Sequence, residues 1–313
     1  LTVTPAYLKL NNLKGKIYSS DFALQGKISN YLPYIFRNET LKGDFTLNSN
    51  LININEFILA QMKSTGANNT TSMPDSTNSN GPTAAEGALE VPRNIDAHLT
   101  TNINTIIFDK LNIKNVKGKV NLANATANLN NLSMEMLNGS MVLNGKYSTT
   151  DPQKPAVDFN LKVANFDIHE AYRAFTFIRK SIPVTMSCEG KVSAAMTFAA
   201  ILDKEMSPIM NTANGKGYLE SQGILINNNP AMNQLASVLK NDELSRLSIS
   251  HLKINFKLEN GNIIVEPFKT NFAGNPVTIY GKQSVEGNLD YTLSMTVDRK
   301  FFGNEINNML KAI

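Results

Sequence analysis

Asn260-Gly261, set between two runs that alternate apolar and polar residues, constrains this chain more than any other feature. A two-residue type I′ turn requires positive φ at both central positions, which Asn and Gly tolerate, and it fixes which residues face each other across the hairpin. With Glu259 opposite Asn262, Leu258 pairs with Ile263, Phe256 with Val265 and Ile254 with Pro267, so one face is wholly apolar. Lys257, Asn255 and Glu266 fall on the other. A slip of one residue would turn every apolar side chain to water, so the register is strongly specified. The same arithmetic at Asn138-Gly139 sets Met136 opposite Met141 and Met134 opposite Leu143, with Glu135 meeting Val142 on the far face.

Period two recurs along the chain. Leu13, Gly15 and Ile17 share a face, as do Phe22, Leu24, Gly26 and Ile28, and then Leu41, Gly43, Phe45 and Leu47. The last strand, Asp290 to Asp298, sets Tyr291, Leu293, Met295 and Val297 against Thr292, Ser294 and Thr296. A loose repeat without fixed period precedes several strands: Leu13-Lys14-Gly15, Leu41-Lys42-Gly43, Val116-Lys117-Gly118, Glu189-Gly190-Lys191 and Gly215-Lys216-Gly217. Glycine inside a strand marks a bulge or bend, so the sheet is expected to curve. The predicted fold is mainly β (α+β): a long curved antiparallel sheet of hairpins and meanders, folded over or groove-like, with two to three short amphipathic helices.

The first helix starts at the capping-box-like Asp167 and Glu170, with Ile168, Ala171, Tyr172, Phe175 and Ile178 at helical spacing before Pro183. The second starts at Asn229-Pro230, a cap followed by a first-turn proline, with Met232, Leu235, Ala236 and Leu239 on one face. Ile306, Met309, Leu310 and Ile313 form a third stripe, open to three uses: covering the end of the sheet, continuing onward, or lying on a membrane. Residues 61–90 are rich in Ser, Thr, Asn, Gly and Pro without apolar period, which predicts a flexible low-complexity loop. Three regions are therefore expected: an N-terminal β segment, 1–60, packing with the main sheet; the loop, 61–90; and a β-rich region, 91–313.

Composition narrows the function. A net charge of +4 spread over scattered Lys and Arg shows no nucleic-acid footprint, although an anionic membrane surface stays open as a partner. Charged residues make up only 18% of the chain, so its polarity rests on neutral side chains, above all 42 Asn. The single cysteine, Cys188, cannot form an internal disulfide and reads as a small buried thiol. Catalysis lacks its residues. His98, His169 and His251 stand in unrelated segments with no metal-ligand spacing, Asp242-Glu243 reads as a solvated helix end, and Gly215-Lys216-Gly217 lacks the strand, loop and helix of a phosphate cradle. The expectation is a non-enzyme with no catalytic residues, no cofactor and no metal. What distinguishes the chain is aliphatic surface on strands, too poor in aromatics for base or sugar stacking, and such a face is either filled as core or left as a groove for acyl chains.

The last hundred residues resemble the C-terminal region of the AsmA family. The similarity lies in Gly215-Lys216-Gly217-Tyr218-Leu219 leading to Gly223-Ile224-Leu225, in the Pro230 helix, in Leu252 to Ile263 around the Asn-Gly turn, and in Val277-Thr278-Ile279-Tyr280-Gly281 running to Leu289-Asp290-Tyr291-Thr292-Leu293. Upstream, Leu41 to Ile52 and Asn55-Glu56-Phe57 are similar to a strand and short turn of the same family. The resemblance implies a periplasmic β-rich body in a Gram-negative envelope, held to the inner membrane by an anchor upstream of Leu1. It implies a role in outer-membrane assembly or maintenance and, as in the larger relatives, movement of phospholipid along an apolar β groove. Region 91–313 would be the AsmA-like part. Phospholipid or another apolar lipid is then the expected partner, with envelope proteins as the alternative and no nucleic acid. The expected lipid-contact residues are Ile254, Phe256, Leu258, Ile263, Val265, Tyr291, Leu293, Met295 and Val297.

Overall fold

The computed structural model describes residues 1–66, 89–239, 242–272, 274–284 and 288–296. Strand takes 65% and helix 16%, so the mainly β class predicted from period two holds. The chain divides into two compact units, the first made of Leu1–Met136, Ser140–Leu161 and Thr197–Ala213, the second of Leu137–Gly139, Lys162–Met196 and Asn214–Ile313.

The first unit contains β1 (Thr2–Thr4), β2 (Tyr7–Ile17), β3 (Ser20–Ser29), α1 (Tyr31–Arg37), β4 (Leu41–Asn53), α2 (Ile54–Gly66), β5 (Ile95–Phe108), β6 (Leu111–Ala123) and β7 (Thr126–Met136). The strands from β1 to β7 pair in chain order, all antiparallel except one. β4 and β5 run parallel, Leu41 facing Ile95 and Asn53 facing Ile107, so the sheet is mixed rather than antiparallel throughout. Parallel neighbours need a crossover, and residues 54–94 supply it, beginning with α2. Of the segment 61–90 expected as a flexible loop, Gln61–Gly66 instead complete α2, and residues 67–88 lie outside the described residues.

Cross-strand rows in this unit separate by face. Gly26, Phe45, Leu99, Val120 and Leu129 form one row, and Lys27, Asp44, His98, Asn121 and Asn128 the next, on the opposite face. Where the β3–β4 ladder ends at Ala23 and Asn48, Asp21 takes over. Its carboxylate accepts from the backbone N–H groups of Leu51 (2.7 Å) and Asn50 (3.0 Å). The Leu51 bond leads the effects that hold Asp21 below the usual carboxylate range.

Strands β8 (Gly139–Ser148), β9 (Ala156–Asp167) and β10 (Cys188–Ile201) follow, with α3 (Ile168–Ala174) and α4 (Thr176–Ser181) between the last two. Asp167 caps α3 by accepting from the Glu170 N–H at 3.0 Å, as its spacing predicts. The helix does not run on to Ile178 in one piece: Phe175 is extended (φ −105°, ψ 113°) and separates α3 from α4.

The hairpin expected at Asn138-Gly139 turns one residue earlier. Leu137 and Asn138 carry the positive φ values, 50° and 58°, and β8 already begins at Gly139. The reason is steric: a Cβ on Gly139 would run into the Ala164 carbonyl and Asn165, so this glycine serves close strand approach, not the turn. Faces are unchanged by the shift, with Met134, Met136 and Leu143 buried and Glu135 exposed.

The second unit is built from β11 (Asn214–Ser221), β12 (Ile224–Asn227), α5 (Pro230–Leu239), β13 (Arg246–Ile249), β14 (Leu252–Glu259), β15 (Asn262–Phe272), β16 (Asn275–Ser284) and β17 (Leu289–Met295). α5 starts as expected, the Asn229 side chain accepting from the Met232 N–H at 3.2 Å. The ladder runs β11–β14–β15–β16–β17, antiparallel throughout, while β12 pairs with β13 and with Cys188–Gly190 of β10. Ile168, Cys188, Ile224, Leu247, Ile249, Phe272 and Val277 form its core. The stripe at Ile306, Met309, Leu310 and Ile313 lies outside the described residues.

Five glycines inside strands take φ between +133° and +159°: Gly26, Gly118, Gly145, Gly190 and Gly281. Each precedes a lysine, a dipeptide that the looser repeat read from the sequence does not isolate. Beside three of them the partner strand bulges, at Asn11-Asn12, Asn131-Leu132 and Glu266-Pro267. A bulge adds a residue to one strand, bends it and raises the local twist. Curvature thus enters where intrastrand glycine predicts it.

Candidate functional site

Asn260 and Gly261 adopt φ 48° and 76°, and the register is the one the turn dictates: Glu259 faces Asn262, Leu258 faces Ile263 and Phe256 faces Val265. Ile254 does not reach Pro267. Proline has no N–H to donate to a ladder, and β15 bulges at Glu266-Pro267 before resuming its pairing with β16 at Phe268 and Ile279.

The ladder gathers the expected contact residues onto one face of five strands. One row reads Gly217, Phe256, Val265, Gly281, Tyr291, and a second reads Gly215, Leu258, Ile263, Gln283, Leu289. Past the bulge, Leu219 faces Ile254, while Phe268, Ile279 and Leu293 align, and Thr270, Val277 and Met295 align next to them. Eight of the nine expected residues therefore share this face, and Val297 lies outside the described residues. Sequence reasoning missed Leu289, Leu219, Phe268 and Ile279. Leu289 could have been found from its parity with Tyr291; Phe268 could not, because the bulge inverts parity along β15.

Burial grades across the face. At one end Val277 is 1% exposed in the core, with Leu252, Ile279 and Met295 packed against it. Leu258 is buried at 5%, while Ile254, Phe256, Ile263 and Val265 are half-buried. On β17, the last strand of the unit's own ladder, Leu289 is 60% exposed and Leu293 49%. So Leu258 and Met295 belong to the packed part of the face, and the open part runs toward Leu293 and Leu289.

Tyr291 sits between the two regimes. It stands directly opposite Gly281, where an added Cβ would lie 2.7 Å from the Tyr291 Cα and 3.0 Å from its ring. The ring therefore lies over the glycine, and its hydroxyl donates to Gln283 Oε1 at 3.2 Å. Burial pushes the phenol pKa up. The opposite face of the same ladder carries mixed charge: Lys216 faces Lys257, Lys253 faces Glu220 with its Nζ 5.0 Å from the centre of the Tyr218 ring, and Lys282 faces Asp290.

Groups that could do acid–base or metal chemistry are scattered. His98 Nδ1 lies 3.4 Å from Asp44 Oδ1 on the polar face of the first unit, both side chains more than half exposed, where solvent screens the pair. His169 and His251 are exposed. Among the described residues no three His, Cys, Asp or Glu side chains converge as metal ligands, and no helix is long and apolar enough to cross a membrane. Compared with known proteins, the chain matches no family model, no curated protein and no solved structure.

Proposed function

We propose that this chain is a non-enzymatic envelope protein that binds or conducts phospholipid along the apolar face of β11 and β14–β17, as the resemblance to AsmA proteins implies. In that setting it works in the periplasm, anchored to the inner membrane, in outer-membrane assembly or maintenance. One observation carries the reading: apolar side chains that share one face in register, interrupted at Gln283 and Thr270, are left open at Leu289 and Leu293 and half-open at Ile254, Phe256, Ile263 and Val265. Burial of an acyl chain there recovers ~25 cal/mol per Å² of apolar area removed from water. The apolar lining suits a flexible chain, which needs no directional contacts.

Native mass spectrometry with lipid extraction of the purified chain is the test. Lipid is expected on the parent and depleted in Leu289→Asp/Leu293→Asp, whose thermal melt stays close to the parent's because both side chains are exposed. An empty parent, or a double variant that keeps its lipid, defeats the proposal. A second reading has its own support. From Leu289 to Ser294 every residue of β17 is exposed, which favours an assembly factor that takes up a strand of another envelope protein. Crosslinking from β17 in cells separates the two.

A further inference from the structure

We infer that α1, in the first unit, is a membrane-contact element that inserts Ile35 and Phe36 into the interface of an anionic bilayer. Five of its seven residues are aromatic or aliphatic: Tyr31, Leu32 and Tyr34 are half-buried, while Ile35 and Phe36 are exposed. Ile35 is 64% exposed and Phe36 78%. The half-buried side of the helix serves folding, and the side that carries Ile35 and Phe36 does not.

Polar contacts also hold α1 in place. It is bounded by Asn30 and Asn38, both left-handed, and the Asn38 N–H donates to the Pro33 carbonyl. Asn30 Nδ2 donates to the Thr40 carbonyl at 2.9 Å, and the Tyr31 hydroxyl donates to the Thr4 carbonyl at 2.9 Å. These bonds fix a rigid loop that points its apolar pair outward, with tyrosines beside it of the kind enriched where membrane meets water.

The local charge surplus fits an anionic bilayer. Around α1 and the adjoining ends of the strands, Lys9, Lys27, Arg37, Lys42 and Arg93 outnumber Glu39, Asp44 and Asp96 by two, the acids facing Arg37, Lys27 and Lys42. Lys27 stands between Lys9 and Asp44 in its row, its Nζ 4.5 Å from the centre of the Tyr7 ring, while Lys9 faces Thr2 on its other side. Shallow insertion of an apolar wedge beside cations is how interfacial segments bind anionic lipid.

The chain has no tryptophan, so Phe36→Trp installs a sole indole reporter. Its emission is expected to shift to the blue with vesicles of phosphatidylcholine and phosphatidylglycerol, and less with phosphatidylcholine alone. Ile35→Ser/Phe36→Ser is expected to weaken co-sedimentation with the mixed vesicles by about tenfold or more, with an unchanged melt. Emission that stays at the solvent value on both vesicles, as it would if the helix served a protein partner, overturns the inference. So does a Ser/Ser variant that sediments like the parent. Neither variant touches the β14–β17 face, so the lipid content of the purified chain tests the proposed function separately.

Discussion

Three glycines of the second unit separate two physical effects that usually arrive together. Gly281 has φ +155°, and a Cβ added there would run into the Asp290 carbonyl and the Tyr291 Cα. Gly274 has φ +82° with nothing within 4 Å, and Gly223 has neither a positive φ nor a neighbour. Alanine at Gly223 is therefore neutral or stabilising by about 0.4–1 kcal/mol, through the unfolded chain's lost freedom. At Gly274 it carries only the cost of a left-handed L-residue, about 1–2 kcal/mol. At Gly281 it adds collision with backbone that cannot swing aside, so β16 and β17 must separate where Gly281 faces Tyr291. Strain of ~1–3 kcal/mol plus about 1 kcal/mol for a ladder hydrogen bond gives roughly 3 kcal/mol. At ~2–4 °C per kcal/mol for a unit of this size, Gly281→Ala is expected to melt roughly 6–12 °C below the parent, Gly274→Ala a few degrees below, and Gly223→Ala at or slightly above it. Thermal unfolding followed by circular dichroism gives the order, and amide hydrogen exchange should place the loss at Gly281 in β16 and β17. If Gly281→Ala melts with the parent, or Gly223→Ala falls as far, the close-approach argument is wrong.

Two further outcomes follow from burial. Leu247, 2% exposed in the core of the second unit, is expected to cost about 2–5 kcal/mol when replaced by Ala, whereas Leu293→Ala, half exposed, should cost under about 1 kcal/mol; chemical denaturation of both measures the gap. Cys188 is buried, and desolvation pushes its thiol from 9.0 up to about 11. A raised folded pKa means the contribution is fully present below the unfolded value and is lost as pH rises through the range from about 9 to about 11. The thiol should thus resist alkylation at pH 8 until the chain unfolds, and Cys188→Ala should flatten the alkaline loss of stability; rapid labelling of the native protein would contradict this.

The hairpin at Asn260-Gly261 was legible because its information is local: two residues that accept positive φ, and alternation on either side. The same logic misplaced the hairpin at Asn138-Gly139 by one residue. There Gly139 is claimed by the close approach of Asn165, a contact made by a residue distant in sequence. The sequence register paired Pro267 with Ile254, but β15 bulges there, and where it resumes, and therefore that Phe268 joins the apolar face, depends on its fit to β16.

By itself, then, the sequence determined the mainly β class, the caps at Asp167 and Asn229, and the face that Phe256, Leu258, Ile263 and Val265 share, because period, cap chemistry and turn φ act over a few residues. Only the tertiary structure decided that β4 and β5 run parallel, that the five Gly-Lys glycines carry the positive φ, and which end of the apolar face is packed and which is open. Leu258 and Leu293 are the same residue in the same alternating pattern. One lies in mid-sheet and the other on the last strand of its unit's ladder, and burial depends on that placement.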